Sequence, residues 1–282
     1  MDRAAARRMR TSYQDAETAR VTASEVLERG ADALHFFDVV DGEQVVGWAV
    51  VWQRGEGCEL NDLLLDDPAR GAEVLPALLA LARANGCPAV GVAAVPGEPE
   101  RDPLVAVEGF VPRATNMALT LHREIGDPGA LVLREMTHEQ FDAYLSASTE
   151  GYVHELEAAG MTPQAARRQG EEQMRELVPD GLDSEGQHFF TAYVEETPVG
   201  VLWISTELPM AFVYDIEVDE SQRRKGYGEA IMNAGARWSR DRGHPALGLN
   251  VFAHNPGARA LYDKLGYHVT ADFRTIDVPD AG

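Results

Sequence analysis

An internal repeat is the feature that most constrains the fold of this chain, because it specifies one order of elements twice. His35-Phe-Phe37 recurs as His188-Phe-Phe190 at an offset of 153 residues, and Gly109-Phe110 recurs as Gly266-Tyr267 at an offset of 157. The other matched pairs include Val46-Gly47 with Val199-Gly200, Asp62 with Asp215, Leu65-Asp66 with Val218-Asp219, Gly71 with Gly228, Arg83 with Arg240, and Gly86 with Gly243. A colinear series of this kind is typical of duplicated structural units. The 282-residue chain is long enough for two such domains.

The two copies differ at one place that carries chemistry. The change of offset means that four residues are missing from the first copy where the second has Arg-Arg-Lys-Gly.

The Gly and Pro of Glu124-Ile-Gly-Asp-Pro-Gly129 are typical of a linker. We therefore expect a first domain over residues 1–125 and a second over residues 130–282.

The run from Ser221 to Ile231 (SQRRKGYGEAI) is typical of an anion site between a strand and a helix. Three cations, Arg223, Arg224 and Lys225, are adjacent in a chain whose formal net charge is −21. Glycines at 226 and 228 allow backbone turns that direct successive N–H groups toward one point, and a helix N-terminus adds further donors. The run predicts a phosphate bound by the backbone of residues 224–229. A solvated turn with surface charges is the alternative.

A second motif follows about one strand–helix unit later. Asn255 and Pro256 are suited to the N-cap and first position of a short helix, and Gly266 is suited to its end. Together with Arg223-x-x-Gly-x-Gly228, this segment from Asn250 to Tyr267 resembles the GNAT N-acetyltransferase superfamily, and the likeness covers Leu131 to about Phe273.

The resemblance implies both a fold and a reaction. The fold class is α/β, with two tandem GNAT-like domains, each a central, mostly antiparallel mixed sheet flanked by helices. The reaction is transfer of an acetyl or short acyl group from acyl-CoA, normally acetyl-CoA, to an amine. No metal is implied. The residues expected at the acyl-CoA site are Val218, Arg223, Arg224, Lys225, Gly226, Tyr227, Gly228, Glu229 and Asn255.

Three residues are catalytic candidates on the same resemblance. Tyr262 matches the family tyrosine that donates a proton to the departing thiolate, and Asn255 matches an asparagine near the cofactor arm. Glu217 is the candidate base for the amine proton, directly or through water, with Asp215 as the other carboxylate of the strand. Strand alternation puts Phe212, Tyr214, Ile216 and Val218 on one face, and Val213, Asp215 and Glu217 on the other. A packed tyrosine, an N-cap asparagine and a solvated glutamate are the structural alternatives.

The first copy is expected to be degenerate. It lacks the phosphate loop, and Glu98 and Val105 stand where the second copy has Asn255 and Tyr262. Its segment before His35 is also shorter than the corresponding segment of the second copy. We expect this copy to buttress the second or to close its cleft, and binding of acyl-CoA in a different way remains the alternative.

The acceptor is expected to contact helices between Phe141 and Leu177, because such helices form one wall of the acceptor groove in the family. The pattern predicts helices near 141–146, 152–159 and 163–177, with Gly160 between the last two. Candidate contacts are Glu150, Tyr152, His154, Glu155 and Glu157, which equally suit an ordinary helix surface. A small-molecule amine is favoured over a protein. Mycothiol synthase is similar in its tandem arrangement, but no residue identifies that substrate.

Composition excludes several other classes. The acidic balance argues against nucleic acid as a partner. The longest apolar runs are too short to cross a bilayer, and the arginines at 3, 7, 8 and 10 are not followed by the apolar segment of a signal peptide, so we expect a cytoplasmic protein. Cys58 and Cys87 are expected to be reduced core residues. Two rival functions remain open: an acyl-CoA sensor without transfer activity, and a scaffold without a cofactor.

Overall fold

The computed structural model describes residues 1–158 and 162–279. The chain forms two compact units. The first, unit 1, contains Met1–Leu119 and Gly248–Gly282, and the second, unit 2, contains Thr120–Leu247. The predicted boundary of the repeat near residues 124–129 stays a prediction, since these units follow strand pairing rather than the repeat.

The order of the elements confirms that the chain carries one pattern twice. The helices are α1 (Asp2–Thr11), α2 (Ala16–Arg29), α3 (Leu75–Ala84), α4 (Arg101–Val105), α5 (His138–Ala158), α6 (Pro163–Leu177), α7 (Tyr227–Asp241) and α8 (Pro256–Leu265). The strands are β1 (Leu34–Asp41), β2 (Gln44–Arg54), β3 (Gly57–Leu65), β4 (Ala89–Ala94), β5 (Val111–Thr120), β6 (Leu131–Glu135), β7 (Gln187–Val194), β8 (Thr197–Ser205), β9 (Ala211–Val218), β10 (Ala246–Phe252) and β11 (His268–Asp277). The order β-β-β-α-β-α-β runs from β1 to β5 and again from β7 to β11.

Two repeated glycines show why the copies share sequence as well as order. A Cβ on Gly47 would lie 2.2 Å from the carbonyl oxygen of Leu64, and a Cβ on Gly200 would lie 2.2 Å from that of Glu217. Each glycine therefore lets the second strand of its copy approach the third strand closely. The same packing constraint acts at both positions.

The sheet of unit 1 contains strands from both ends of the chain. Its order is β1-β2-β3-β4-β11-β5-β10, in which β10 contributes its residues from Gly248 onward. The last strand, β11, is antiparallel to both β4 and β5, while β3 and β4 are parallel. The final strand of the second copy therefore lies between the last two strands of the first copy. The sheet is mixed and mostly antiparallel, in agreement with the predicted fold class.

The core of unit 1 lies between this sheet and helix α3. Leu63 and Val90 are fully buried there, and Ile276 of β11 packs against the same core. Cys58 and Cys87 are free thiols that are only 2% and 3% exposed, which confirms their expected place in the core. Strand β1 pairs with β2 alone in this sheet and therefore lies at its edge. A cavity of about 810 Å³ lies beside it, between β1, β2 and α3.

Unit 2 has helices on both faces of its sheet, whose order is β6-β7-β8-β9. On one face, α7 packs so closely that a Cβ on Gly235 would lie 2.8 Å from the Leu202 side chain. On the other face, Phe189 and Trp203 form a core with Phe141 of α5. The two strands β8 and β9 thus carry one helix layer on each side.

The predicted helices of unit 2 need one correction. Thr137 and Gln140 form the predicted capping box, with bonds of 3.0 and 3.3 Å between the backbone of each residue and the side chain of the other. The helices expected at 141–146 and 152–159 are a single helix, α5, because Gly151 is accommodated inside it. Helix α6 has the predicted bounds. The predicted break at Gly160 lies outside the described residues.

Across the described part of the chain, no helix has both the length and the apolar character needed to span a bilayer.

Candidate functional site

The anion loop of unit 2 has the backbone that its glycines predict. After β9 the chain makes a short 3-10 turn over Glu220–Gln222, and Arg224 then takes a left-handed conformation with φ of +62°. Gly226 is the N-cap of α7 and has φ of +86°. Left-handed residues placed just before a helix rotate successive N–H groups toward one side of the backbone. The loop therefore has the geometry of an anion-binding turn.

The first turn of α7 lacks a side-chain cap, as do those of α1, α3 and α4, whereas those of α2 and α8 have one. Asp15 accepts hydrogen bonds from the first turn of α2, and Asn255 accepts one from Ala258 at the start of α8. Gly226 has no side chain that could do the same, and among the described residues none caps α7. The leading N–H groups of a helix need acceptors from outside it. A bound anion at this helix start would supply them.

The three cations of the loop are exposed and loosely held. The Arg223 guanidinium donates to the carbonyl oxygen of Val218 at 3.0 Å and lies 3.6 Å from the Glu217 carboxylate. Lys225 donates to the Gln222 side chain at 2.9 Å. Exposed contacts of this kind are weak. All three side chains can therefore turn toward an anion at little cost.

A β-bulge changes which residues of β9 face which helix layer. Trp203 of β8 lies opposite Asp215, whereas the next residue, Ile204, lies opposite Val213, so Tyr214 is the extra residue. Residues opposite each other share a face. The predicted alternation is therefore wrong upstream of Asp215, because one added residue moves the side chains before it to the opposite face of the sheet from the one that simple alternation predicts. The faces are Phe212, Tyr214, Asp215 and Glu217 on the α5 side, with Val213, Ile216 and Val218 on the α7 side.

A buried tyrosine contacts this face and was not predicted. The Tyr144 hydroxyl of α5 donates to the Asp215 carboxylate at 2.9 Å. Burial, the Asp215 charge and the Glu217 charge raise the pKa of Tyr144 far above its usual range, so the hydroxyl keeps its proton. The only sequence signal was indirect, since Asp215 is matched by Asp62 in the first copy. Glu217 is matched by Leu64 and is 63% exposed.

The other predicted residues lie on α8, in unit 1. Asn255 is the N-cap, with its side-chain oxygen 3.0 Å from the Ala258 nitrogen, as the motif predicts. Helix α8 ends at Gly266, which has φ of +84°. Tyr262 is only 5% exposed, and its ring centroid lies 5.8 Å from that of Tyr267. The structure thus puts Glu217, Val218 and the anion loop in unit 2, and Asn255 and Tyr262 in unit 1.

The first copy has a buried ion cluster at the positions that correspond to the site strand and the second motif. Arg101, which is 1% exposed, lies 3.2 Å from Glu98 and 3.6 Å from Asp62. From α1, Arg7 contacts the same two carboxylates at 2.6 and 3.1 Å. A Cβ on Gly71 would lie 1.8 Å from the carbonyl oxygen of Glu100, so the backbone packs tightly here. The sequence shows the arginines of α1 but carries no signal of these contacts.

Comparison with known proteins identifies the family. Residues 150–267 match the sequence profile of the Acetyltransferase (GNAT) family. An uncharacterized N-acetyltransferase of Bacillus subtilis, YycN, is 34% identical over 146 residues, which are 50% of this chain and 94% of that protein. The chain belongs to the GNAT acetyltransferase family. Its anion loop and second motif therefore lie in an acyltransferase domain.

Two further comparisons extend the GNAT likeness over most of the chain. A mycothiol acetyltransferase of Rhodococcus jostii is 23% identical over 248 residues, covering 84% of this chain and 81% of that enzyme. The crystal structure of a GCN5-related N-acetyltransferase from Sphaerobacter thermophilus aligns with a TM-score of 0.59 and 18% identity, covering 100% of this chain and 94% of that one. The second likeness concerns the fold alone. GNAT enzymes move acyl groups from coenzyme A to amines, and this chain is an acyltransferase of that type.

The acceptor residues expected on α5 contact other helix residues in this GNAT protein. Glu150 pairs with Arg167 of α6 at 3.2 Å, and Tyr152 donates to Gln173 of the same helix at 2.6 Å. His154 lies 3.7 Å from Glu157. The side chain of Glu155 lies outside the described part of the chain. These contacts favour the helix-surface alternative for the group.

Proposed function

We propose that the protein transfers an acetyl or short acyl group from acyl-CoA to the primary amine of a small molecule. The observation that carries the proposal is the anion loop, in which left-handed Arg224 and Gly226 precede a helix start with no side-chain cap. A solvated surface turn does not require two left-handed residues at a helix start. Phosphate groups of coenzyme A fit such a loop because they accept several N–H bonds at once.

The backbone and the side chains of the loop would have different roles in binding the cofactor. Backbone N–H groups from Arg224 to Glu229, including those of Tyr227 and Gly228, would bind the phosphates, and the side chains of Arg223, Arg224 and Lys225 would screen their charge. The main chain near Val218 would pair with the pantetheine arm. Binding far from the reacting carbon fixes the thioester in place and lowers the entropic barrier.

The transfer needs one proton removed and one supplied. The neutral amine nitrogen attacks the thioester carbonyl carbon, a C–N bond forms, and the C–S bond breaks with its electron pair on sulfur. Glu217, directly or through water, would take the amine proton, and Tyr262 would protonate the thiolate. Asn255 would orient the cofactor arm. Since Asp215 already accepts the Tyr144 bond while Glu217 is exposed, Glu217 is the better base.

The first copy is proposed to bind no acyl-CoA. Its support is the ion cluster of Asp62, Glu98 and Arg101, whose side chains are almost completely buried. A cofactor arm beside β3 would have to displace these charges, and separating buried charged partners is costly. The first copy would then have a structural role in unit 1.

Titration calorimetry with acetyl-CoA tests the proposal. The Gly226→Asp variant adds a negative charge and a Cβ at a left-handed position, so we expect it to weaken binding by about 100-fold or more. Gly42→Asp is the matched control, because Gly42 also has a positive φ, +62°, with open space around it. The wild type and the control should bind one equivalent. No binding by the wild type would refute the proposal, and two equivalents would show that the first copy also binds.

Activity separates a transferase from a sensor. Release of free thiol from acetyl-CoA in the presence of amines is expected for a transferase and not for a sensor. Tyr262→Phe should lower kcat by roughly 100-fold, the usual scale for a positioned acid, with an unchanged Kd for acetyl-CoA. An equal loss of binding would show instead that Tyr262 has a packing role.

A further inference from the structure

The bulge in β9 exposes an aromatic surface beside the proposed base. The Tyr214 ring stacks on Trp203 with centroids 4.9 Å apart and planes at 27°, and the Phe212 ring meets it edge-on at 5.5 Å. Trp203 is 2% exposed, but Tyr214 is 43% exposed. The buried indole thus fixes a tyrosine ring whose other side is open. We call Phe212 and Tyr214 the aromatic platform.

Carboxylates border the aromatic platform on the same face of the sheet. Asp215 and Glu217 follow Tyr214 along the strand, and Tyr144 holds Asp215 in place at 2.9 Å. Glu207 accepts a hydrogen bond from Gln187 at 2.8 Å, and its charge helps to raise the pKa of Tyr214, after burial as the larger cause. Carboxylates therefore lie on both sides of the platform in sequence, and Asp215 and Glu207 are held by hydrogen bonds.

Aromatic rings bordered by carboxylates favour a cationic ligand over an acidic one. The face of an aromatic ring attracts an organic ammonium, and carboxylates strengthen the attraction. The open ring side of Tyr214 also provides apolar area for a carbon skeleton. A ligand carboxylate would instead meet like charges, which cost several kcal/mol when brought together. The surface therefore favours cations without acidic groups.

We propose that the aromatic platform binds the acceptor, and that the acceptor is a primary amine on an uncharged apolar skeleton with no carboxylate. This inference rests on the proposed transferase function. The skeleton lies on Tyr214 and Phe212, and the nitrogen faces Asp215 and Glu217. Because Tyr144 belongs to α5, the platform lies on the sheet face that this helix covers, where the family likeness predicts the acceptor.

Three amines test the inference with acetyl-CoA at saturation. They are 2-phenylethylamine, which has the predicted skeleton, phenylalanine, which adds a carboxylate to it, and methylamine, which lacks a skeleton. We expect kcat/KM for 2-phenylethylamine to exceed that for phenylalanine by about 100-fold. Equal or better use of phenylalanine would overturn the inference.

Substitutions at Tyr214 give a second, independent readout. Tyr214→Ala should raise KM for 2-phenylethylamine about tenfold, raise KM for methylamine by a clearly smaller factor because methylamine has no skeleton to lie on the ring, and leave the Kd for acetyl-CoA unchanged. Tyr214→Phe should restore wild-type KM, because the ring and not the hydroxyl makes the contact. Phe36→Ala is the control, since Phe36 is an exposed aromatic residue (73%) on a strand of unit 1. Equal losses with 2-phenylethylamine and methylamine would mean that Tyr214 only supports the fold, and would overturn the inference.

The same assays separate this inference from the proposed function. If acetyl-CoA binds and other amines react while 2-phenylethylamine does not, the inference fails and the transferase function stands. If acetyl-CoA binds and none of the three amines reacts, the inference fails as well. If acetyl-CoA does not bind, both fail together.

Discussion

Replacement of Arg101 by methionine tests whether the buried ion cluster stabilises unit 1. The guanidinium donates to the carbonyl oxygens of Ala93, at 3.0 Å, and of Asn61, and it lies 3.2 Å from the Glu98 carboxylate. Burial lowers the pKa of Arg101 to about 10, so it remains charged at pH 7. Methionine fills similar space, and Arg101→Met therefore removes the charge and the donors with little cavity.

The expected loss follows from what remains behind. Glu98 is 2% exposed and keeps Arg7 as a partner at 2.6 Å, and the Asn61 carbonyl oxygen keeps an Arg7 donor at 3.2 Å, but the Ala93 carbonyl oxygen loses its Arg101 donor. Breaking a buried ion pair by removing one partner costs about 3–5 kcal/mol. We expect Arg101→Met to lower the free energy of unfolding by about 4 kcal/mol, which corresponds to a fall of roughly 1–2 M in the urea midpoint.

Urea denaturation followed by tryptophan fluorescence measures this loss, and the chain offers a matched control. Arg134 forms an ion pair with Glu196 at 2.9 Å, but its side chain is 45% exposed. Arg134→Met should therefore cost less than about 1 kcal/mol. Equal stability of the two variants would refute the reasoning, since burial would then add nothing to the ion cluster.

Further expected outcomes concern a thiol and two glycines. Burial, with Cys87 as the next cause, raises the pKa of Cys58 to about 11, so the folded chain keeps a thiol proton that the unfolded chain loses at lower pH. The free energy of unfolding should therefore fall by up to about 3 kcal/mol as the pH rises from 9 to 11. The same pH dependence in Cys58→Ala would contradict this. Gly200→Ala should lower the free energy of unfolding by about 2–3 kcal/mol, because its Cβ would meet the Glu217 carbonyl; a neutral effect in thermal denaturation would contradict the close strand approach. Gly151→Ala should raise the free energy of unfolding by about 0.5–1 kcal/mol, because alanine favours a helix more than glycine does and no atom lies near the added methyl group. A lower free energy of unfolding would argue against a continuous helix α5.

Local features of the fold were predictable because nearby residues determine them. The N-cap at Asn255, the capping box at Thr137 and the left-handed Gly226 and Gly266 all follow from side-chain and backbone preferences within a few residues. The matched positions of the repeat also predicted correctly that one order of strands and helices occurs twice, because each match aligns an element of the first copy with its counterpart in the second. The anion loop belongs to this local class, and its prediction needed no long-range information.

Long-range features were not predictable, for physical reasons. Hydrophobic alternation cannot reveal the bulge at Tyr214, because phenylalanine and tyrosine suit either face of a strand. Nor does a repeat reveal which copy supplies the neighbour of a strand, so the place of β11 between β4 and β5 went unpredicted. The sequence does not indicate that arginines of α1 contact Asp62 and Glu98, because these carboxylates are distant from α1 along the chain.

The place of β11 has a consequence for how the protein is made. A ribosome completes β4 and β5 long before it reaches His268, and at typical rates of about 5–20 residues per second the delay lasts roughly 7–30 seconds. Throughout that time two strands that will flank β11 lack this neighbour. Unpaired strand edges attract other chains. The edges of β4 and β5 are therefore exposed to misassembly in the nascent protein until β11 has been translated.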